Sequence, residues 1–180
     1  MPEPDEGMPE LVLPIEERDH TFGPIGAKYT LVEYGSFANP RCAEFRAVVK
    51  ELERELGDDL CFAFRHFPQV REYPTGQIAS EAAEAAGLQA KFWLMHDRIF
   101  DLTEAFTPEK LRAIAVGLPL EMDEYDRDLR SGEAAELVRL DVTSAGEVGV
   151  ADTPTLFVNG RMHAGSYEFL PLLDALQRSV

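Results

Sequence analysis

Cys42 is the residue best placed for covalent chemistry, because of the three residues before it, Asn39-Pro40-Arg41. Asparagine is a favoured helix N-cap, its side-chain oxygen accepting from the orphan amides of the first turn. Proline is favoured at the first helical position, where its missing N–H costs nothing. The spacing therefore predicts a helix opening at Asn39, with Arg41 and Cys42 at its second and third positions. A helix N-terminus and a guanidinium both lower a thiol pKa, unless burial raises it again. A thiolate there could form a mixed disulfide or be oxidised to a sulfenic acid. A buried Cys42 would instead be a small apolar filler.

Glu33 is the second candidate. It interrupts the apolar run Leu31-Val32-Glu33-Tyr34 six residues before Asn39. Either it faces water from an edge strand, or it is buried in a central strand with the raised pKa of a proton-shuttling acid. A central position favours burial. The histidines (His20, His66, His96 and His163) fall one to an element, with no pair at metal-ligand spacing, so no metal or other cofactor is expected. Phe92, Trp93, Met95 and Phe100 read first as core and second as a peptide groove.

The elements that must position these residues follow from periodicity. Tyr29–Tyr34 is β-branched and aromatic, a strand. The helix capped by Asn39 carries an apolar stripe through Phe45, Val48, Val49, Leu52 and Leu56, and Gly57 ends it. Residues 60–67 read as a buried strand stopped at Pro68, giving a parallel βαβ unit. Helices are predicted at 75–86, 89–102, 107–116, 121–130 and 131–147. Residues 155–159 are again strand, Asn159-Gly160 is a hairpin signal, 161–165 pairs back, and 169–178 is a last amphipathic helix. A weak strand is expected just ahead of the turn-rich Arg18–Pro24, and residues 1–14, acidic and proline-rich, read as a flexible tail. Cys61 follows a helix of about sixteen residues, roughly 24 Å long, so it should lie at the opposite end from Cys42 with no bridge between them.

Tyr34-Gly-Ser-Phe-Ala-Asn-Pro-Arg-Cys42 resembles the active-site turn of DsbA-family thioredoxin-fold disulfide oxidoreductases, in which Phe37 precedes a Cys-Pro-x-Cys helix start. Asn39 stands where the first, attacking cysteine belongs. Segments at Arg65–Pro68, Ala82–Ala86, Lys91–Asp97 and Thr153–Gly160 are also similar, over most of residues 15–180. The nearest likeness is to DsbA-like domains found alone or fused to bacterial sodium/proton antiporters. The resemblance implies an α/β thioredoxin-like fold with an α-helical insertion, about residues 75–147, between its βαβ and ββα halves. It implies that Thr153-Pro154 is the cis-proline loop facing the active-site helix, its backbone offering an edge to an extended peptide. It further implies that Glu33 is the acid handling the proton of Cys42. Asp152, where the family commonly has glycine, would disfavour a Cys42 thiolate.

A net charge of −16 over 180 residues argues against nucleic acid or an anionic membrane surface as partner. The start of the chain has no basic and apolar leader pattern, and two cysteines make no disulfide framework, so a reducing cytoplasm is the expected compartment. Two functions remain: an oxidoreductase-like protein with at most monothiol chemistry at Cys42, or a non-catalytic module. Either would hold a peptide, a protein or a small thiol at the groove beside Pro154.

Overall fold

The structure, a computed structural model, describes residues 14–178. The acidic tail therefore lies, apart from Pro14, outside the described residues. A five-stranded sheet runs in the order β1-β3-β2-β4-β5, with β1 at His20–Phe22, β2 at Tyr29–Gly35, β3 at Leu60–His66, β4 at Thr155–Val158 and β5 at Arg161–Met162. The β2–β3 pair is parallel and the others are antiparallel. Helix α1 (Pro40–Leu56) makes the βαβ crossover, and α7 (Phe169–Arg178) follows the β4–β5 hairpin. Asn159 and Gly160, at φ 48° and 84°, give that hairpin the two left-handed residues a tight two-residue turn requires.

Between β3 and β4 lie α2 (Gly76–Gly87), α3 (Phe92–Phe100), α4 (Pro108–Val116), α5 (Met122–Ser131) and α6 (Glu133–Glu147). Helix α2 is buried through Ala79, Ala82, Ala83, Ala85 and Ala86, whose small side chains let neighbouring helices approach closely. Residues 89–91 are not helical as expected. Ala90 takes φ 57°, and the chain reverses there before α3.

Period-two alternation along the strands makes two cores. Leu31, Phe62, Phe64 and Leu156 point toward α1 and the helical insertion, while Val32, Tyr34, Ala63 and Phe157 pack under Ala145 and Val148. By the same alternation Glu33 shares the α1 face with Leu31. The weak strand expected before Arg18 forms at His20–Phe22 instead. Residues 16–19 are taken up by a turn in which Asp19 bonds back to Glu16 and also pairs with buried Arg65. Gly23 then leaves β1 at φ 81°, and a Cβ there would meet the Leu60 carbonyl oxygen at 1.9 Å. Gly23→Ala is expected to cost about 3 kcal/mol or more, combining a backbone clash with a disfavoured φ. Chemical denaturation of the two proteins measures it.

Candidate active-site turn

Asn39 caps α1 as the sequence requires, accepting from the Arg41 N–H at 3.0 Å. Its amide nitrogen does something the sequence did not signal. Nδ2 donates to the Thr153 carbonyl at 2.8 Å and to Thr153 Oγ1 at 3.0 Å, and the side chain is buried. The Thr153–Pro154 peptide is cis and lies against the start of α1.

The backbone edge of that loop is occupied by the protein itself. Thr153 N–H donates to Asp152 Oδ1 at 2.8 Å. The Thr153 carbonyl also accepts from Arg41 Nη2 at 2.5 Å, and the same nitrogen donates to Asp152 Oδ2 at 2.7 Å. Gln69 completes the arrangement, donating to Asp152 Oδ1 at 3.0 Å and accepting from Thr153 Oγ1. Burial works against the Asp152 charge, but the Thr153 N–H, Gln69 and Arg41 hold its pKa below the ordinary value. The acid that raises the Cys42 pKa is Glu33; Asp152 instead ties down the edge expected to receive a peptide. Gln69, at φ 47° just past Pro68, carried no recognisable signal in the sequence.

Cys42 is 1% exposed, and its sulfur accepts from the Ser36 N–H at 3.4 Å. Burial, then the nearby Glu33 carboxyl, push the thiol up to about 12 against the opposing pull of Ser36, Thr153 and Arg41. The expected activation by Arg41 and the helix end does not prevail. Arg41 is turned onto Asp152 and Thr153, and desolvation outweighs a partial charge. Glu33 is 3% exposed, burial raises its pKa to about 8, and Oε1 has no hydrogen-bond partner among the described residues. Phe37 anchors the turn from beneath, its ring packed against Phe64, His66, His96 and Phe100. Pro40 is exposed at the head of α1. Cys61 is buried and free at the far end of the parallel pair, opposite Thr30, whereas Cys42 lies beside Ser36 just past the other end of β2. Beside the turn, a shallow groove of about 310 Å³ is lined by Arg41, Phe45, Val48, Pro154 and Tyr167.

Two histidines are less scattered than their spacing suggests. Pairing of β1 with β3 brings His20 and His66 to the same carboxylate, Glu84 of α2.

Sheet order, the capped α1 and the cis-Pro loop define a protein of thioredoxin fold, of the class to which thiol-disulfide oxidoreductases belong. The family model described as thioredoxin matches residues 16–177. The chain is 38% identical over 176 residues, 97% of its length, to Na(+)/H(+) antiporter NhaA 1 of Salinispora arenicola, and 38% identical over 163 residues, 91% of its length, to the NhaA antiporter of Herminiimonas arsenicoxydans. It spans about a quarter of these relatives, 26% of each. Among solved structures it is similar to a thioredoxin-like oxidoreductase from Silicibacter pomeroyi, with TM-score 0.80, 22% identity and coverage of 91% of this chain and 93% of that one. Oxidised BdbD of Bacillus subtilis gives TM-score 0.78 at 19% identity, covering 89% and 91% of the two chains. The chain belongs to the thioredoxin family, and it shares its fold with the thiol-disulfide exchange protein alpha-DsbA2 of Wolbachia pipientis, at TM-score 0.79 and 14% identity, covering 92% of this chain and 89% of that one. No helix of the described residues is long and apolar enough to cross a membrane.

Proposed function

We propose that this chain is a DsbA-like protein with a degenerate Asn39-Pro40-Arg41-Cys42 site, at most capable of slow monothiol chemistry at Cys42, and that it works as a non-catalytic binding module. The observation that carries this reading is the pair of hydrogen bonds from Asn39 Nδ2 to Thr153. The side chain in the attacking position is a structural amide that fastens α1 to the cis-Pro loop. Nucleophilic catalysis loses its first step without a sulfur there. A buried thiol with a pKa near 12 does not supply a substitute.

A partner would then engage side chains in the groove beside Phe45, Val48, Pro154 and Tyr167, since the Thr153 backbone groups are already bonded internally. The relatives named as antiporters support a protein partner, and the net charge of −16 speaks against nucleic acid or an anionic membrane surface. The two free, buried cysteines fit a reducing, cytoplasmic setting. One similar structure, from Salmonella enterica, is described as periplasmic.

Insulin reduction with dithiothreitol as electron donor tests the silence of the site. The unmodified protein and Cys42→Ser are expected to run at the same background rate. Turnover by the unmodified protein that disappears in Cys42→Ser would overturn the reading.

A further inference from the structure

We propose that His66, Glu84 and Asp141 form a binding site for one divalent first-row transition-metal ion, with His20 orienting Glu84 from its outer side. The three side chains come from the end of β3, the middle of α2 and the middle of α6, and all are buried. One ligand atom from each lies within 4.8 Å of the other two. His66 Nε2 and Glu84 Oε1 are 2.9 Å apart. Two ligand atoms about 2.1 Å from an ion would be about 3 Å apart in an octahedral shell and about 3.4 Å apart in a tetrahedral one.

Each side chain has a reason to point where it does. Asp141 Oδ2 accepts the His66 backbone N–H at 2.8 Å, while Oδ1 lies 3.9 Å from the Arg18 guanidinium. His20 Nε2 lies 2.9 Å from Glu84 Oε2 and 3.0 Å from Oε1, so it faces both oxygens, and binding an ion at Oε1 would leave the imidazole to Oε2. An imidazole fixing a ligating carboxylate in this way is a usual outer-shell arrangement. His66 Nδ1 is buried with no partner among the described residues, so the hydrogen bonding of that ring is all on the cluster side.

Charge points the same way. Two carboxylates are held close together in the interior, and a dication would neutralise both. One imidazole nitrogen with two carboxylate oxygens suits zinc or manganese; calcium and magnesium prefer all-oxygen shells, and soft ions prefer thiolates. A cavity of about 190 Å³, lined by Arg18, Asp19, His20, Glu84, Leu137 and Asp141, reaches the two carboxylates of the cluster and leaves room for water ligands and an entry path. On binding, the ion takes the Nε2 lone pair: a neutral ring moves its one N–H proton to Nδ1, beside the Phe37 and Phe64 rings, with no net release, whereas an imidazolium keeps its Nδ1 proton and gives the Nε2 proton to solvent. The ion would tie two insertion helices to the sheet through ligands none of which is a cysteine, so the site stands independently of Cys42.

The test uses EDTA-treated, untagged protein titrated with zinc chloride and with manganese chloride at pH 7, followed by calorimetry and thermal unfolding. Uptake of one ion per chain and a rise in Tm of about 5 °C are expected. Asp141→Asn and Glu84→Gln should each weaken binding at least about 100-fold, and His20→Gln about 10- to 100-fold. His163→Ala, which touches none of these groups, should bind as the unmodified protein does. Because Glu84 holds two imidazoles, Glu84→Gln could unfold the chain; circular dichroism checks this, and Asp141→Asn then carries the test. Failure to bind either ion more tightly than millimolar, or binding that survives Asp141→Asn, would overturn the site. So would a thiolate charge-transfer band on cobalt(II) substitution, since that would put the ion on a cysteine.

Discussion

Asn39→Cys is expected to raise insulin reduction from background by at least about 100-fold, a conservative fraction of the roughly millionfold that removing a nucleophile can cost an enzyme that has one. The substitution rebuilds a Cys-Pro-Arg-Cys helix start on a backbone that already has the required shape. Position 39 caps α1, so the new sulfur sits where amide N–H groups and the helix end favour a thiolate. Cys42 lies one turn deeper and Glu33, protonated up to about pH 8, lies nearby to exchange its proton. The change costs the Asn cap, about 1 kcal/mol, together with both bonds to Thr153. A domain of this size should survive that loss. Asn39→Cys with Cys42→Ser should fall back, because the mixed disulfide then has no resolving thiol. A folded but inert Asn39→Cys would show that the missing sulfur is not what silences the site. The Asp152–Arg41–Gln69 clasp on Thr153 would then be the cause, and Asp152→Gly in the same background would reveal it.

Glu33→Gln is expected to stabilise the protein at alkaline pH and change little near pH 4. The folded-state pKa of Glu33 is raised from 4.5 to about 8 by burial. Between those values the folded chain holds a proton that the unfolded chain has released, so stability falls as pH rises through that window. The penalty is absent below the unfolded value and complete above about pH 8. A shift of that size corresponds to about 5 kcal/mol, or roughly 10 to 20 °C in Tm for a domain of this length. The glutamine variant carries no such penalty. Thermal unfolding of both proteins at pH 4.5, 6.5 and 8.5 should show curves that meet at the acid end and separate steadily. Parallel curves would place Glu33 in contact with water or with a cation. Cys42 adds a slope of the same sign mainly above pH 9, where the unfolded thiol ionises, and half-buried Glu53 and buried Asp141 add theirs to both proteins alike, so the difference between the two curves below pH 8.5 reports Glu33.

The fold was legible because its signals are local. Asn39-Pro40 starts α1, Gly57 ends it, Asn159-Gly160 turns the hairpin, and a charge interrupting the apolar run of a central strand marks Glu33 as buried. What could not be read depends on which loops meet. Gln69 and Asp152 are 83 residues apart and come together only when β3 and β4 flank β2. The same holds for Arg41, whose charge looked like an activator of Cys42 from one residue away. In the folded chain the guanidinium directs its hydrogen bonds to the cis-Pro loop. His20, His66, Glu84 and Asp141 lie on four elements, and strand pairing together with helix packing, not spacing, assembles them. The competition that decides Cys42, a helix end and a guanidinium against burial, was visible in the sequence; its outcome needed the depth of the sulfur.

The most direct test of a silent site is the pH profile of Cys42 alkylation in the native protein, using iodoacetamide and mass spectrometry to follow each cysteine separately. A thiol with its pKa raised from 9.0 to about 12 has a thiolate fraction about a thousandfold below that of an ordinary cysteine at neutral pH. Labelling at least that much slower than in denaturant is expected, with no titration step below pH 9. Rapid native labelling of Cys42 with a midpoint below pH 8 would contradict this and return the site to active thiol chemistry.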